Sequence, residues 1–402
     1  MSVRAKLDRG AVRRLSASEA RRFLVSHLGL ARFAKERGPR AIVPLLARLR
    51  CIQLDPLDAI GENADLVVLA RVRGSHRGDV HRALYPGHAF EHFAKERCIL
   101  PASAFPHYRD RAVETPWWRH SDRMKRLGAG LLDAVLEEVK ARGPLRARDL
   151  THRGGVEPID WAGWKGTSSA TKLALEVLWT RCQVVVAGRN GRDKLFDVPE
   201  RALPLVASTT ASAPFDEWGI RERVAAAGLL PRAGGPSWSM LSQARLGPVP
   251  QAMIECGELE QVEVEGARRP YLASRGFLDR PPAKPDDAMR VLGPLDPLLW
   301  DRGLVRQAFG FDYVWEVYKP ASERRYGWYV CPLLHRGELV ARMEASTLGT
   351  TLLVSKIWRE PARQFDEDAF TLLLERHAES LGCDAYKRGP GARPRRGAAS
   401  SA

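Results

Sequence analysis

Apolar positions along this chain alternate between helical spacing and strand-like runs, and the order in which they do so repeats. Residues 18–50 carry two helical patterns, "SASEARRFLVSHLGL" with Ser16 or Ser18 as candidate cap and "AIVPLLARLR". Short apolar runs follow in "CIQLDPLD" and "ADLVVLARV", completing a small α+β unit. Between residues 120 and 200 the order is clearer. "RMKRLGAGLLDAVLEEVKARG" is an amphipathic helix ending at Gly143, "GPLRARDL" starts a second, and "SSATKLALEVLWTRCQ" is a third with Lys172 and Arg181. "QVVVAGRNGRDKLFDV" then reads as two strands about an Asn-Gly turn.

Three helices followed by a basic hairpin is the order of a winged helix-turn-helix, in which the third helix and the wing face DNA. Arg189 and Arg192 would sit on that wing. The order recurs at 217–275, where Arg268 and Arg269 fall in the hairpin turn of "EQVEVEGARRPYLAS". Two copies of one order reinforce each other. From 290 to 385 the pattern changes. "FDYVWEVYKP", "RRYGWYVCPLLHRGELVARMEAS" and "TTLLVSKIWRE" predict an antiparallel sheet or small barrel, closed by a helix in "DEDAFTLLLERHAESLG". The expected class is α+β: tandem winged helices with a C-terminal antiparallel, barrel-like domain. The expected divisions are 1–118, 119–210, 211–288 and 289–386, with 387–402 a disordered basic tail.

Charge narrows the function. Sixty-three Lys and Arg against 48 Asp and Glu give a net +15, which points to a polyanionic partner, although an Arg-rich proteome gives the same balance. No apolar run approaches the length of a membrane span, the N-terminus lacks a signal-peptide core, and the six scattered cysteines form no CxxC pair. A cytoplasmic, cofactor-free and metal-free protein is expected, acting as a monomer. His76, His81, His88 and His92 read as surface or hinge residues rather than ligands. The chain has no P-loop, GxSxG or HExxH.

One polar pair stands out. In "CIQLDPLD" a strand would put Gln53 and Asp55 on one face, with Ile52 and Leu54 on the other. Asp55 precedes Pro56, so it also suits a turn cap. An amide and a carboxylate facing one space suffice to release a base that already carries positive charge, such as an N7-alkylated guanine. The carboxylate stabilises the cationic sugar and activates water, and the amide orients that water. A non-catalytic DNA-binding protein keeps the charge and gives Asp55 only the turn. A metal-dependent nuclease has Asp55, Asp58 and Glu62 available but no nuclease spacing.

These residues, with "LGPLDPLLWDR" and "RRYGWYVCPLLHRGELVARMEA", resemble the YcaQ/AlkZ family of winged-helix DNA glycosylases from about residue 18 to 380. The resemblance implies a C-shaped, metal-free, monofunctional enzyme acting on bulky N7-alkylguanines, including interstrand crosslinks, in double-stranded DNA. The family's catalytic motif falls on Gln53-Leu54-Asp55, in the aspartate form. A C-terminal hairpin that approaches the lesion in this family is placed at "LLHRGELV", with His335 and Arg336 at its tip. The chain departs at Glu62-Asn63, where an Arg-Ser pair is expected, and at Phe93 and Lys95, where Trp and His are common. Trp117-Trp118, Trp161 and Trp164 are candidate DNA-stacking rings. Asp301 and Arg302 read first as an ion pair between domains, and Arg302 second as a phosphate contact.

Overall fold

The computed structural model describes residues 12–114, 124–157 and 168–392. The first helix, Ala17–His27, starts at a capping box: the Ser16 hydroxyl accepts from the Glu19 amide, and the Glu19 carboxylate accepts from the Ser16 amide at 2.9 Å. The apolar helix Ile42–Leu49 ends where Arg50 turns left-handed, and the strand Ile52–Gln53 follows at once.

From there one strand order occurs in three sheets. In the first copy the strand Ile52–Gln53 is followed by helices Asn63–Leu69 and Asp79–Leu84 and by the hairpin Ala89–Ala94/Glu96–Pro101. The last strand lies in the middle of the sheet, between the first and second. The second copy sets Leu145–Arg146 beside Asp193–Asp197 and then Val185–Asn190. In the third, Leu230–Pro231 lies beside Tyr271–Ser274 and then Leu259–Val264. The three sheets thus share one strand order, the last strand lying between the other two. The copies are not separate bodies. Strand Arg13–Leu15 joins the third copy's sheet, parallel to Leu259–Val264. A single apolar core runs from Leu24, Leu46 and Val67 to Val262, Leu299 and Leu334.

Helix Ala170–Thr180 departs from the expected reading helix. Nine of its eleven residues are buried, and Ala174, Leu175, Leu178 and Trp179 fill the second copy's core. Lys172 is exposed near its start, and Arg181 is the half-buried C-cap.

The C-terminal domain is an open five-stranded sheet, not a barrel: Arg290–Val291, Val330–His335, Glu338–Leu348, Thr351–Arg359 and Ala385–Gly391. The last pair is parallel, because the helix Glu367–Leu381 makes the crossover that a parallel neighbour requires. Strand Ala385–Gly391 also carries order past Lys387, where the tail was expected to begin; residues 393–402 lie outside the described residues. "FDYVWEVYKP" forms no strand, and 311–328 is irregular apart from a short turn at Ala321–Glu323. Among the described residues no helix is long and apolar enough to cross a membrane.

The first copy is locked to the C-terminal domain by a buried ion pair. Arg71, 1% exposed, grips Asp296, 0% exposed, through two bonds of 2.7 and 3.0 Å. The guanidinium also donates to the carbonyls of Leu28 and Val67, and Asp296 accepts from the Leu298 amide, so both partners are well satisfied. The domain joint expected at Asp301–Arg302 is therefore made five residues earlier. Asp301 instead caps the helix Arg302–Phe309, accepting from the Leu304 amide. Replacing Asp296 by Ala strands a buried guanidinium and should cost about 3–5 kcal/mol in denaturant unfolding. A loss below about 1 kcal/mol would show that apolar packing alone holds the joint.

Candidate active site

Gln53 is buried at the end of its strand and fixed from both sides. Its carbonyl accepts from Asn63 Nδ2 at 2.8 Å, and the Leu295 amide donates to Asn63 Oδ1 at 3.2 Å. Asn63 therefore ties the strand to the "LGPLDP" segment, where Gly293 leaves it room: a Cβ there would come within 2.7 Å of Asn63 Oδ1. The Gln53 side chain accepts from Lys95 Nζ at 2.7 Å. An ammonium can only donate, so the amide oxygen must face Lys95 and the Nε2 hydrogens point elsewhere. Lys95 stands in the one-residue connection between Ala94 and Glu96, over the Trp300 ring at 5.2 Å. Burial lowers its pKa.

Asp55 lies just beyond the strand, which ends at Gln53; only one further ladder bond, from the Leu54 amide to the Arg97 carbonyl, continues it. The regular alternation expected to align the two side chains therefore stops short of Asp55. Its Oδ1 accepts from the Leu57 amide at 2.9 Å, the turn-capping role suited to a residue before proline. Half-burial raises its pKa, the Leu57 amide opposes the rise, and the nearby Glu62 charge adds to it. Glu62 is itself held lower than usual, first by hydrogen bonding to His81, whose Nε2 lies 3.6 Å from Glu62 Oε2. Asp58 is flanked by Arg77 at 3.2 Å and Arg192 at 3.6 Å. Glu62 and Asp58 are thus each set against a cationic or imidazole partner, unlike an open set of metal-binding carboxylates. The segment after Asp55 packs on the C-terminal sheet, where Leu57, Ala59 and Ile60 share an apolar core with the buried Tyr329, Cys331 and Leu333.

The other expected contacts divide into two groups. Arg192 is 84% exposed at the tip of the second hairpin and reaches over Asp58. Arg268, Arg269 and Arg302 are exposed along a cleft of about 710 Å³ that also takes in Lys95, Trp300 and Asp301. This cleft begins at the cation that orients Gln53. By contrast, Arg189 is turned inward with Lys194 onto the fully buried Glu91, joining the first copy to the second. His335 is buried on the Asp287 carbonyl, and Arg336 pairs with the Asp287 carboxylate at 2.8 Å. His335 ends the strand Val330–His335, roughly 20 Å of strand rise from Tyr329, and Arg336 follows it in the turn. The neighbouring hairpin touches the first copy: the Thr347 amide donates to the Ala59 carbonyl at 2.8 Å, and Leu348 at its tip is 73% exposed. Trp117, Trp118, Trp161 and Trp164 lie outside the described residues. His92 is a core residue stacked on Trp179, its pKa driven down to about 3 by burial.

Residues 46–380 match the family model described as DNA glycosylase AlkZ-like. The chain belongs to the AlkZ-like DNA glycosylase family. Among solved structures it is similar to the Streptomyces sahachiroi DNA glycosylase AlkZ, with a TM-score of 0.58 and 16% identity over 92% of this chain and 98% of that one. At this identity the likeness is one of fold.

Within this AlkZ-like frame, sequence reasoning missed two elements. The pairing of Glu62 with His81 spans 19 positions and has no local pattern. The contact of Thr347 with Ala59 spans 288 positions and has no local pattern either. Asp65, one turn along the helix from Glu62, gives a direct check of the site's electrostatics. Burial raises its pKa from 3.8 to about 6, against the Gly78 amide that donates to it at 3.0 Å. A raised carboxyl pKa means that the folded state holds the proton more tightly, so this contribution is full below pH 3.8 and is lost as pH rises through about 6. Asp65→Asn keeps the acceptor and removes the titration. It should gain about 2 kcal/mol over the parent at pH 8 relative to pH 4, read from denaturation midpoints. An equal difference at both pH values would contradict it.

Proposed function

We propose that this protein hydrolyses the N-glycosidic bond of N7-alkylated guanine in double-stranded DNA, bulky adducts and interstrand crosslinks included. What supports the proposal is the placement of Gln53 and Asp55 two residues apart, at and just past the end of one strand. Gln53 has its amide oxygen fixed by Lys95, and Asp55 has only one oxygen committed to its turn. N7-alkylation already makes the base a cationic leaving group, so no general acid is required. As the C1′–N9 bond breaks, its electron pair goes to the base, which departs neutral. Asp55 stabilises the positive charge growing on the sugar and takes a proton from the water that attacks C1′. Gln53 Nε2 donates to that water or to a sugar oxygen. The products are free base and an abasic site, with the strand uncut.

The three repeated units are read as tandem winged helices, because each places its last strand between the other two and presents a hairpin. Their exposed hairpin arginines, Arg192 in the second and Arg268 with Arg269 in the third, are the phosphate contacts in this reading, with Arg302 beside them. Lys172 is an outlying contact. Arg189 and Arg181 shape the second unit rather than touch DNA. One chain supplies both groups of the site, so a monomer suffices. The 710 Å³ cleft that begins at Lys95, beside Gln53, suits a lesion that is tied to both strands and cannot swing into a deep pocket.

A non-catalytic DNA-binding protein is the second reading, favoured by the turn that Asp55 caps. One substitution separates the two, because Asn at 55 keeps the cap and removes the charge. Base release from duplex DNA carrying one N7-methylguanine or one nitrogen-mustard crosslink, in chelator and revealed by alkaline cleavage, should fall at least about 100-fold in Asp55→Asn while affinity holds. Equal release by both proteins would remove Asp55 from the chemistry; binding without release by either would favour the second reading. Lys95→Met, which frees the Gln53 amide, should lower kcat about tenfold with little change in KM. An unchanged kcat would show that the amide's orientation is not used.

A further inference from the structure

Residues 311–328 are irregular but firmly held. Glu316, 3% exposed, accepts from the Arg325 amide at 3.1 Å, the Tyr326 amide at 2.8 Å and Lys319 Nζ at 3.0 Å. Burial works to raise its pKa, and these donors overcome it and take it down to about 2, so the carboxylate stays ionised as a fixed post. Glu344 makes a second post, accepting from the Trp328 amide at 2.8 Å, and a Cβ at Gly327 would collide with its carboxylate. Two carboxylates spent on fixing one loop argue that what the loop carries must be held in place.

What it carries is a chain of rings that starts at the site. Tyr329, which shares one apolar core with Leu57, Ala59 and Ile60 just past Asp55, lies 6.0 Å from the Trp328 ring and 6.3 Å from the Trp315 ring. Trp315 in turn meets Tyr318 edge-on at 5.7 Å. Trp328 is 40% exposed and Tyr318 is 83% exposed, while Trp315 Nε1 is buried without a partner. Beside them Arg325 lies over Tyr326 at 5.0 Å and Lys356 over Trp358 at 4.8 Å. Rings interleaved with cations, on a rigid support and continuous with a carboxylate site, suit a planar aromatic group borne by a polyanion.

We propose that Trp315, Tyr318 and Trp328 form a stacking shelf beside Asp55 for a planar aromatic group of the substrate. The group comes either from a base unstacked next to the lesion or from an aromatic system on the N7 substituent. The assignment rests on the glycosylase reading for its neighbour Asp55, but its test reads binding, not base release.

Tyr318→Ala and Trp328→Ala alter exposed side chains and should leave the denaturation midpoint unchanged. Dissociation constants would be measured for duplexes with a 2′-fluoro sugar, which resists hydrolysis, bearing N7-methylguanine, an N7-naphthylmethylguanine or undamaged guanine. The methyl duplex would also be made with an abasic spacer beside the lesion. Each variant should lose about tenfold in affinity for a damaged duplex and little for the undamaged one. Loss on the methyl duplex that vanishes with the spacer assigns the shelf to a neighbouring base. Loss confined to the naphthylmethyl duplex assigns it to the substituent. Affinities within twofold of wild type on every duplex, or an equal loss on undamaged DNA, would overturn the proposal. If these losses persist while wild type releases no base, the shelf stands and the glycosylase reading fails.

Discussion

The buried pair of Arg71 and Asp296 is the constraint on which this architecture turns. Two charges almost wholly removed from water are tolerated only because each is satisfied several times over, by the other and by surrounding backbone groups. A hydrophobic contact could hold the first repeat against the C-terminal domain as strongly, but it would not fix their register. A bidentate guanidinium does, because its two bonds are made at one position and orientation. Gly293 and Leu295, in the same segment as Asp296, bring the backbone close to Asn63, and Asn63 holds Gln53. Thus the ion pair positions the segment that positions the candidate amide.

The site lies where three bodies meet, and none holds it alone. The first repeat supplies Gln53, Asp55, Lys95 and the Glu62–His81 pair. The second sends Arg192 over Asp58, and the C-terminal sheet packs on the segment after Asp55 with Tyr329 and the Thr347 hairpin. Cations of the third repeat line the cleft on the Lys95 side. Aromatic rings extend outward on the Tyr329 side. A lesion at Asp55 would have phosphate-binding charge to one side and stacking surface to the other.

Much of this was legible in the sequence wherever the signal was local. The helices at 17–27 and 170–180, the hairpin about Asn190-Gly191 and the final helix follow from periodicity, caps and turn residues. Gln53 and Asp55 were legible as a candidate pair, though the regular strand expected to align them stops at Gln53, with Pro56 soon after. What escaped depends on distant partners. "FDYVWEVYKP" has strand-like composition, but Glu316 draws backbone amides from nine and ten residues onward onto its carboxylate and forbids a ladder. Arg189 looked like a wing contact and is spent on Glu91, which lies 98 residues earlier. The Asp301–Arg302 dipeptide looked like a joint, whereas the joint joins residues 225 apart. The parallel edge strand Ala385–Gly391 was hidden by a basic, glycine-rich composition that also describes a tail.

In the proposed reaction an ionised Asp55, its pKa raised by burial and by the Glu62 charge, acts on the sugar and the attacking water. The pH dependence of single-turnover base release from N7-methylguanine duplex tests it most directly, with wild type beside Glu62→Gln. Release should rise with pH through a midpoint above the usual aspartate value of 3.8, since only the ionised form is active. Removing the Glu62 charge should move that midpoint to lower pH. A rate that does not change with pH across the acid limb, or a midpoint indifferent to Glu62, would contradict the account.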